Sequence, residues 1–302
     1  MIVLLAALYG GVGWLVTSQM IGENPRWRGM NRGPADFGLA GETVAFPSTD
    51  GVSLKAWWLP APGRARATVV IAHGIDHTRQ VMLPRAAFLV HAGYNVLAVD
   101  LRGHGESAAQ FVSGGFLEAR DVLGAVRFLR QRGQREPIVL MGVSMGAMAS
   151  LLAAADSSEI AAVIADGPGP SGRQIAENIR RHFVRDPRSG RLLRALFTAA
   201  ALPGLLPATR LVYYARTGID LGPDFVSVLP AASRIRVPVL LLSGERDWIV
   251  PTSQVRTILD ALPAGSKSLV VLPGAQHDTT FSTAPALYSQ AVLAFLDANL
   301  PR

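Results

Sequence analysis

Cysteine is absent from the 302 residues. That excludes a disulfide framework, a thiolate metal site and a cysteine nucleophile. Charge is sparse, 17% of the chain against 49% hydrophobic residues, which excludes a disordered chain, since disorder needs low hydrophobicity and high charge. Lysine is nearly missing: only Lys55 and Lys267 occur among 29 basic residues, so the formal charge of +7 is an arginine surplus. Such a surplus invites nucleic-acid binding. No RNP, zinc-finger or helix-turn-helix pattern accompanies it, and no nucleic-acid partner is expected. What remains is a chain long enough to bury a substantial core, as one large domain or two small ones.

The ends differ in character. Residues Met1 to Gly22 carry no charged side chain. As a helix they would reach about 33 Å, enough to cross a hydrocarbon core of about 30 Å. A secretory signal would need a basic n-region and a small-x-small cleavage site, and neither is evident. The expectation is a single-pass N-terminal membrane anchor over 1–22 and a linker over 23–40. Arg26, Arg28 and Arg32 weakly favour a cytoplasmic location for the remainder of the chain.

Beyond the linker, short aliphatic runs alternate with amphipathic segments. Thr43 to Phe46 and Leu54 to Leu59 read as a hairpin. Thr68–Ala72, Asn95–Asp100, Ile138–Met141, Ala161–Ala165, Val239–Leu242 and Ser268–Leu272 read as further strands. Leu83–His91, Leu117–Arg130, Met145–Ala155 and Ala284–Ala298 read as helices. Apolar strands separated by helices predict a parallel sheet covered on both faces. The interval 168–236 breaks the rhythm and has helical stretches of its own, 173–183 and 191–201. It holds eleven arginines and four acids, a surplus equal to the net charge of the whole chain.

Gly142-Val143-Ser144-Met145-Gly146 carries the chemistry. The pattern G-x-S-x-G alone is weak, but here a strand precedes it and an apolar helix succeeds it, the context of a nucleophile elbow. A serine hydroxyl needs a base. Of the six histidines, His277 comes after the last strand and would share a sheet edge with Ser144. His91 reads as a helix C-terminal residue and His182 as solvent-facing. Asp247, after the strand Val239–Leu242, is the expected orienting carboxylate. Glu245 is its rival, and Asp278 is too close in sequence to fold back onto the same ring. The oxyanion would meet the backbone amides of Met145 and, from the turn after the third strand, Ile75. His73 reads as a loop-shaping residue.

Together these pieces resemble the α/β-hydrolase family in its serine-hydrolase, esterase- or lipase-like branch. The resemblance rests on His73-Gly74, Asp100 to Ser107, the elbow at Ser144, Gly244-Glu245-Arg246-Asp247 with Val250-Pro251, and Gly274 to His277, in that order over 41–302. It implies an eight-stranded, mostly parallel α/β sheet with helices on both faces and a helical lid inserted at about 168–236. It also implies a Ser-His-Asp triad with no cofactor or metal; Arg102 to Ser107 is then structural. The expected reaction is hydrolysis of a carboxylic ester, or of a thioester, in a small-molecule or lipid substrate, with no required protein partner. The alternatives are an amide-cleaving peptidase of the same fold and a non-catalytic membrane-anchored binding module. Leu205, Leu206, Leu211, Val212, Tyr213 and Tyr214 among the lid arginines suggest a surface for anionic headgroups; the competing reading is a solvated lid covering the pocket.

Overall fold

The computed structural model describes residues 31–108, 110–191, 202–265 and 267–301, with residues 10, 11, 13, 14, 17 and 18. Eight strands form one sheet: β1 (Glu42–Pro47), β2 (Ser53–Leu59), β3 (Thr68–Ala72), β4 (Asn95–Asp100), β5 (Ile138–Val143), β6 (Ile160–Asp166), β7 (Val239–Gly244) and β8 (Lys267–Leu272). Their spatial order is β1-β2-β4-β3-β5-β6-β7-β8. The first hairpin and the β2–β4 pair are antiparallel; from β4 to β8 every pair is parallel. Strands β3 to β6 are almost wholly buried, as their central Val, Ile, Leu and Ala residues require of a sheet covered on both faces.

The covering helices are α1 (Leu83–His91), α2 (Glu118–Gln131), α3 (Met145–Ala155), α4 (Gly172–Arg185), α5 (Leu202–Thr217), α6 (Leu229–Ala232), α7 (Thr252–Ala261), α8 (Thr280–Thr283) and α9 (Pro285–Asn299). One core lies between the sheet and α2, α3 and α7, through Val122, Leu129, Met148, Leu151 and Ile258. The other lies under α1 and α9, through Leu83, Leu89, Tyr288, Val292 and Leu296. The chain leaves β3 towards β4 and returns across β3 to β5. Order therefore reverses beside β3 and β5, and the crevice outside their carboxyl ends is where open α/β sheets bind ligands.

The loop after β4 is held by the ion pairs of two buried arginines. Arg79 donates to Asp100 at 2.8 Å and also pairs with Glu106. The Arg102 fork donates to Asp121 at 2.6 Å and to Asp50 at 2.7 Å, tying this loop to α2 and to the β1–β2 turn. These contacts support the structural reading of Arg102 to Ser107.

Residues 168–236 leave the sheet after β6 and return to β7. An isolated bridge between Ser171 and Ser227 closes the neck of this segment. The expected helix over 173–183 is α4. The one expected over 191–201 lies outside the described residues, apart from Arg191. Helix α5 was not anticipated, because Pro203 and Pro207 interrupt its pattern; it carries Pro207 internally. Tyr213 is fully buried and donates to the Val112 carbonyl at 3.2 Å, whereas Leu211 and Tyr214 stay exposed. The arginine surplus is partly matched within the segment: Arg180 and Arg181 pair with Glu177, Arg210 with Asp220 and Arg173 with Asp224.

The expected membrane anchor is not upheld, and the single-pass, weakly cytoplasmic location falls with it. Among the described residues no helix is long and apolar enough to cross a membrane. Most of residues 1–22 lie outside the described set. Of those that are described, Gly13, Thr17 and Ser18 touch α5: Gly13 abuts the Thr209 backbone, and Arg216 donates to the Thr17 and Ser18 hydroxyls at 3.0 and 2.8 Å. The Arg216 guanidinium also sits 5.3 Å from the Trp14 ring. A stretch without charge of its own is matched here by a charged neighbour from the insertion.

Candidate active site

Ser144 sits between β5 and α3 at φ 51° and ψ −112°, a conformation an L-residue adopts only when its surroundings impose it. Two glycines permit the turn. A Cβ on Gly142 would meet the Gly146 carbonyl oxygen at 2.1 Å, and a Cβ on Gly146 would meet the Ala72 carbonyl oxygen at 2.4 Å. The elbow is therefore pressed between α3 and the end of β3. The Ser144 N–H donates to the Asp166 carbonyl at 2.8 Å, fixing the elbow to β6 as well.

The three side chains expected to converge do so. Ser144 Oγ lies 2.9 Å from His277 Nε2, and His277 Nδ1 lies 2.7 Å from Asp247 Oδ2. The other Asp247 oxygen accepts the N–H groups of Ile249 and Val250 at 2.9 and 2.8 Å. With two amides and an imidazole N–H on it, this carboxylate serves as an acceptor. Nδ1 therefore carries the ring proton, and Nε2 is free to accept from the serine.

Burial pulls the His277 imidazole down, but the hydrogen bond to Asp247 and the charges of Asp278, Asp247 and Asp166 outweigh it. Its pKa stands above the ordinary histidine value. His73 goes the other way: burial, then the neighbouring His104 ring, holds it neutral. Its Nε2 accepts the Leu101 N–H at 3.1 Å, so Nδ1 donates to the Gly74 carbonyl at 2.7 Å. This braces the turn after β3 in the loop-shaping role expected of it.

Ile75 lies in that turn, 41% exposed, and Met145 opens α3, buried. Neither backbone N–H donates a hydrogen bond to another described residue. The turn adjoins the nucleophile: a Cβ on Gly74 would stand 3.4 Å from Ser144 Cβ. Glu245 is committed elsewhere, accepting the Gly274 N–H at 2.8 Å. His91 closes α1 on the surface. His182 departs from expectation, since it is half-buried and stacks on Trp248 at 3.8 Å between ring centroids. Its neighbour on α4, Asn178, donates to the Ile249 carbonyl at 2.8 Å, so α4 stands over the loop that carries Asp247.

A second layer has no local signature. Asp166, 1% exposed, accepts Thr280 Oγ1 at 2.6 Å and Arg85 Nη2 at 3.3 Å; Arg85 Nε in turn meets Tyr288 Oη at 3.2 Å. One aspartate thus binds the elbow through its carbonyl and the histidine loop through its carboxylate. The partners lie 81 and 114 residues away in sequence. A buried carboxylate ending a core strand was the only available hint.

A cavity of about 180 Å³ adjoins the nucleophile, lined by Gly74, His77, Val81, Val143, Asp278 and Phe281 among others. A larger hollow of about 520 Å³, beside Arg64, Arg66, Arg135 and Glu136, lies before β3 and β5, at the opposite end of the sheet, and holds neither a hydroxyl nor an imidazole. Among the described residues no three His, Asp or Glu side chains gather as a metal site.

A mostly parallel eight-stranded sheet with a serine at its central elbow and a histidine and an acid on the same rim defines the class of α/β hydrolases. The family model described as alpha/beta hydrolase family matches residues 69–291, and the chain belongs to that family. It is 28% identical over 261 residues to the uncharacterized protein YqkD of Bacillus subtilis, covering 85% of this chain and 80% of that protein. It is 24% identical over 237 residues to the monoglyceride lipase of Rattus norvegicus, covering 73% and 78%. Among solved structures it is similar to the Pyrococcus furiosus esterase Pf2001, with a TM-score of 0.73 and 25% identity over 92% of this chain and all of that one.

Proposed function

We propose that this chain is a serine hydrolase that cleaves carboxylic esters, and thioesters by the same route, through an acyl-enzyme. The observation that carries the reading is the unbroken hydrogen-bonded chain from Ser144 Oγ through His277 to Asp247. Its likeness to an esterase and to a monoglyceride lipase supports a small acyl-ester substrate.

In the first half-reaction His277 Nε2 takes the Ser144 proton as Oγ bonds to the acyl carbon. The carbonyl π pair moves onto oxygen, and the amides of Met145 and Ile75 receive the oxyanion. The helix N-terminus behind Met145 favours the same charge. The imidazolium returns its proton to the leaving oxygen as the C–O bond breaks. A water then gives a proton to Nε2, attacks the acyl carbon, and releases the acid as Ser144 is reprotonated. Asp247 holds the ring and stabilises its cationic form throughout.

In this reading residues 41–302 form the catalytic unit and the segment 168–236 is its lid, with α4 over the Asp247 loop. The test is covalent labelling by a fluorophosphonate, then a panel of p-nitrophenyl esters and aminoacyl amides. Wild type should be labelled and Ser144→Ala should not. Labelling that survives the substitution, or amide turnover exceeding that of every ester, refutes the proposal.

A further inference from the structure

We propose that the cavity beside Asp278 is a subsite for a cationic group on the leaving side of the substrate, so that esters of amino alcohols are cleaved in preference to neutral esters of the same shape. The inference rests on the serine-hydrolase reading and names the substrate class for that same site.

Asp278 comes directly after His277 at φ 61°, a left-handed conformation that aspartate tolerates better than most residues. The turn brings its carboxylate back across the ring. Oδ1 lies 3.7 Å from His277 Nε2, and Oδ2 lies 3.8 Å from His77 Nε2. Both separations exceed hydrogen-bond length. No lysine or arginine among the described residues comes within ion-pair distance of it, and its side chain is 32% exposed. The carboxylate is therefore part-exposed at the cavity wall with two imidazoles nearby and, among the described residues, no guanidinium or ammonium within ion-pair distance.

Its place decides what it would recognise. Nε2 is the nitrogen that hands a proton to the leaving atom, so a substituent on that atom passes within reach of Asp278. A two-carbon spacer separates an ester oxygen from a nitrogen by about 3–4 Å, the scale set by three bonds of standard length. The adjoining cavity of about 180 Å³ has apolar walls in Val81, Met82, Pro84, Val143 and Phe281, suited to methyl groups on such a nitrogen. Arg85 also lines it, but its guanidinium is already matched by Asp166 at 3.3 Å and by the Tyr288 hydroxyl.

Electrostatics supplies the discrimination. A Cβ on Gly74, in the turn assigned to the oxyanion, would lie 3.6 Å from Asp278 Oδ1. An uncovered negative charge there opposes the oxyanion that develops in the transition state. A substrate cation covers it, so the gain is larger in the transition state than in the ground state. Neutral esters lack that compensation, and anionic leaving groups meet repulsion.

The test compares 2-(dimethylamino)ethyl butyrate with 3-methylbutyl butyrate, which have the same shape and differ by one positive charge at neutral pH. Wild type should prefer the cationic ester by about tenfold in kcat/KM, the scale of a partly desolvated charge pair. In Asp278→Asn the ratio should fall to near one. A wild-type ratio near one, or a preference that persists in Asp278→Asn, overturns the inference. A second measurement needs only the wild-type chain: trimethylammonium ion should compete with 2-(dimethylamino)ethyl butyrate and raise its apparent KM, and tert-butanol at equal concentration should not. Equal effects of the two overturn it as well. A labelled Ser144 with no charge preference removes only the subsite. No labelling and no turnover of either ester removes the hydrolase reading and the subsite together.

Discussion

Thr280→Val isolates the contact that holds the histidine loop to the rest of the site. Thr280 is buried, and its hydroxyl donates to Asp166 Oδ2 at 2.6 Å. Valine keeps the branched shape, so packing changes little and the donor alone disappears. Asp166 keeps Arg85, but at the longer distance of 3.3 Å. A hydrogen bond to a buried charged acceptor contributes about 1.5–3 kcal/mol, so a destabilisation of about 2 kcal/mol is expected. With a urea slope of about 2–3 kcal/mol per molar, the unfolding midpoint should fall by somewhat under 1 M. The kinetic effect should exceed the stability effect in interest. Thr280 lies three residues beyond His277 and opens α8, so its release lets the imidazole drift from Ser144. Misplacement by about 1 Å costs on the order of 100-fold, and kcat should fall by about 10- to 100-fold with KM nearly unchanged. Thr280→Ser restores the donor and should recover both quantities. A valine variant within about 0.5 kcal/mol of wild type, the range of an ordinary surface substitution, and with kcat within a factor of two, would refute the assignment of Asp166 as the clamp.

Gly146→Ala places a methyl carbon 2.4 Å from the Ala72 carbonyl oxygen. The obstacle is backbone, so α3 must retreat from β3, carrying the Met145 amide with it. A loss of about 1–3 kcal/mol in denaturant unfolding is expected, with turnover reduced more than the population of folded protein explains. For a neutral ester, kcat/KM should decline on the acid side through an inflection above the ordinary histidine value of about 6.5. The reason is that Asp247, Asp278 and Asp166 together stabilise the imidazolium, and only the neutral ring accepts the Ser144 proton. Asp278→Asn removes one of those charges and should move the limb to lower pH. A limb that stays in place or moves upward contradicts the electrostatic assignment.

What was legible in the sequence had a local cause. The elbow could be read because a buried strand, two close-approach glycines and an apolar helix must be contiguous for the turn to exist. Asp247 and His277 could be read because each lies just past a strand of the same parallel sheet, and parallel strands deliver their C-terminal residues to one edge. The clamp of Asp166, Arg85 and Thr280 could not, because no local pattern links residues 81 and 114 positions apart. Helix α5 was hidden by prolines that lower intrinsic propensity; Tyr213, buried against Val112, gives it tertiary support that propensity does not count. Asp278 was judged too near His277 to reach the ring. That holds for Nδ1, but the backbone angle at residue 278 turns the carboxylate towards Nε2 instead.

The N-terminal run shows the limit of hydropathy as an argument. A count of uncharged residues measures how poorly a segment is solvated by water and is silent on what replaces the water. A bilayer and a protein surface both satisfy that deficit, and the count is the same for each. The distinction lies in the hydroxyls of Thr17 and Ser18, which accept from Arg216. In hydrocarbon a helix of this kind would return such hydroxyls to its own carbonyls, as Thr17 and Ser18 also do towards Trp14 at 3.1 and 2.7 Å. A guanidinium as their additional partner belongs to a polar protein contact, because an arginine at bilayer depth is strongly disfavoured. The arginine-rich composition of the insertion, which in isolation suggested anionic headgroups, therefore contributes one of its charges to the described part of the N-terminal stretch. Each feature is ambiguous when read from its own segment, and the contact between them joins the described part of the run to the insertion.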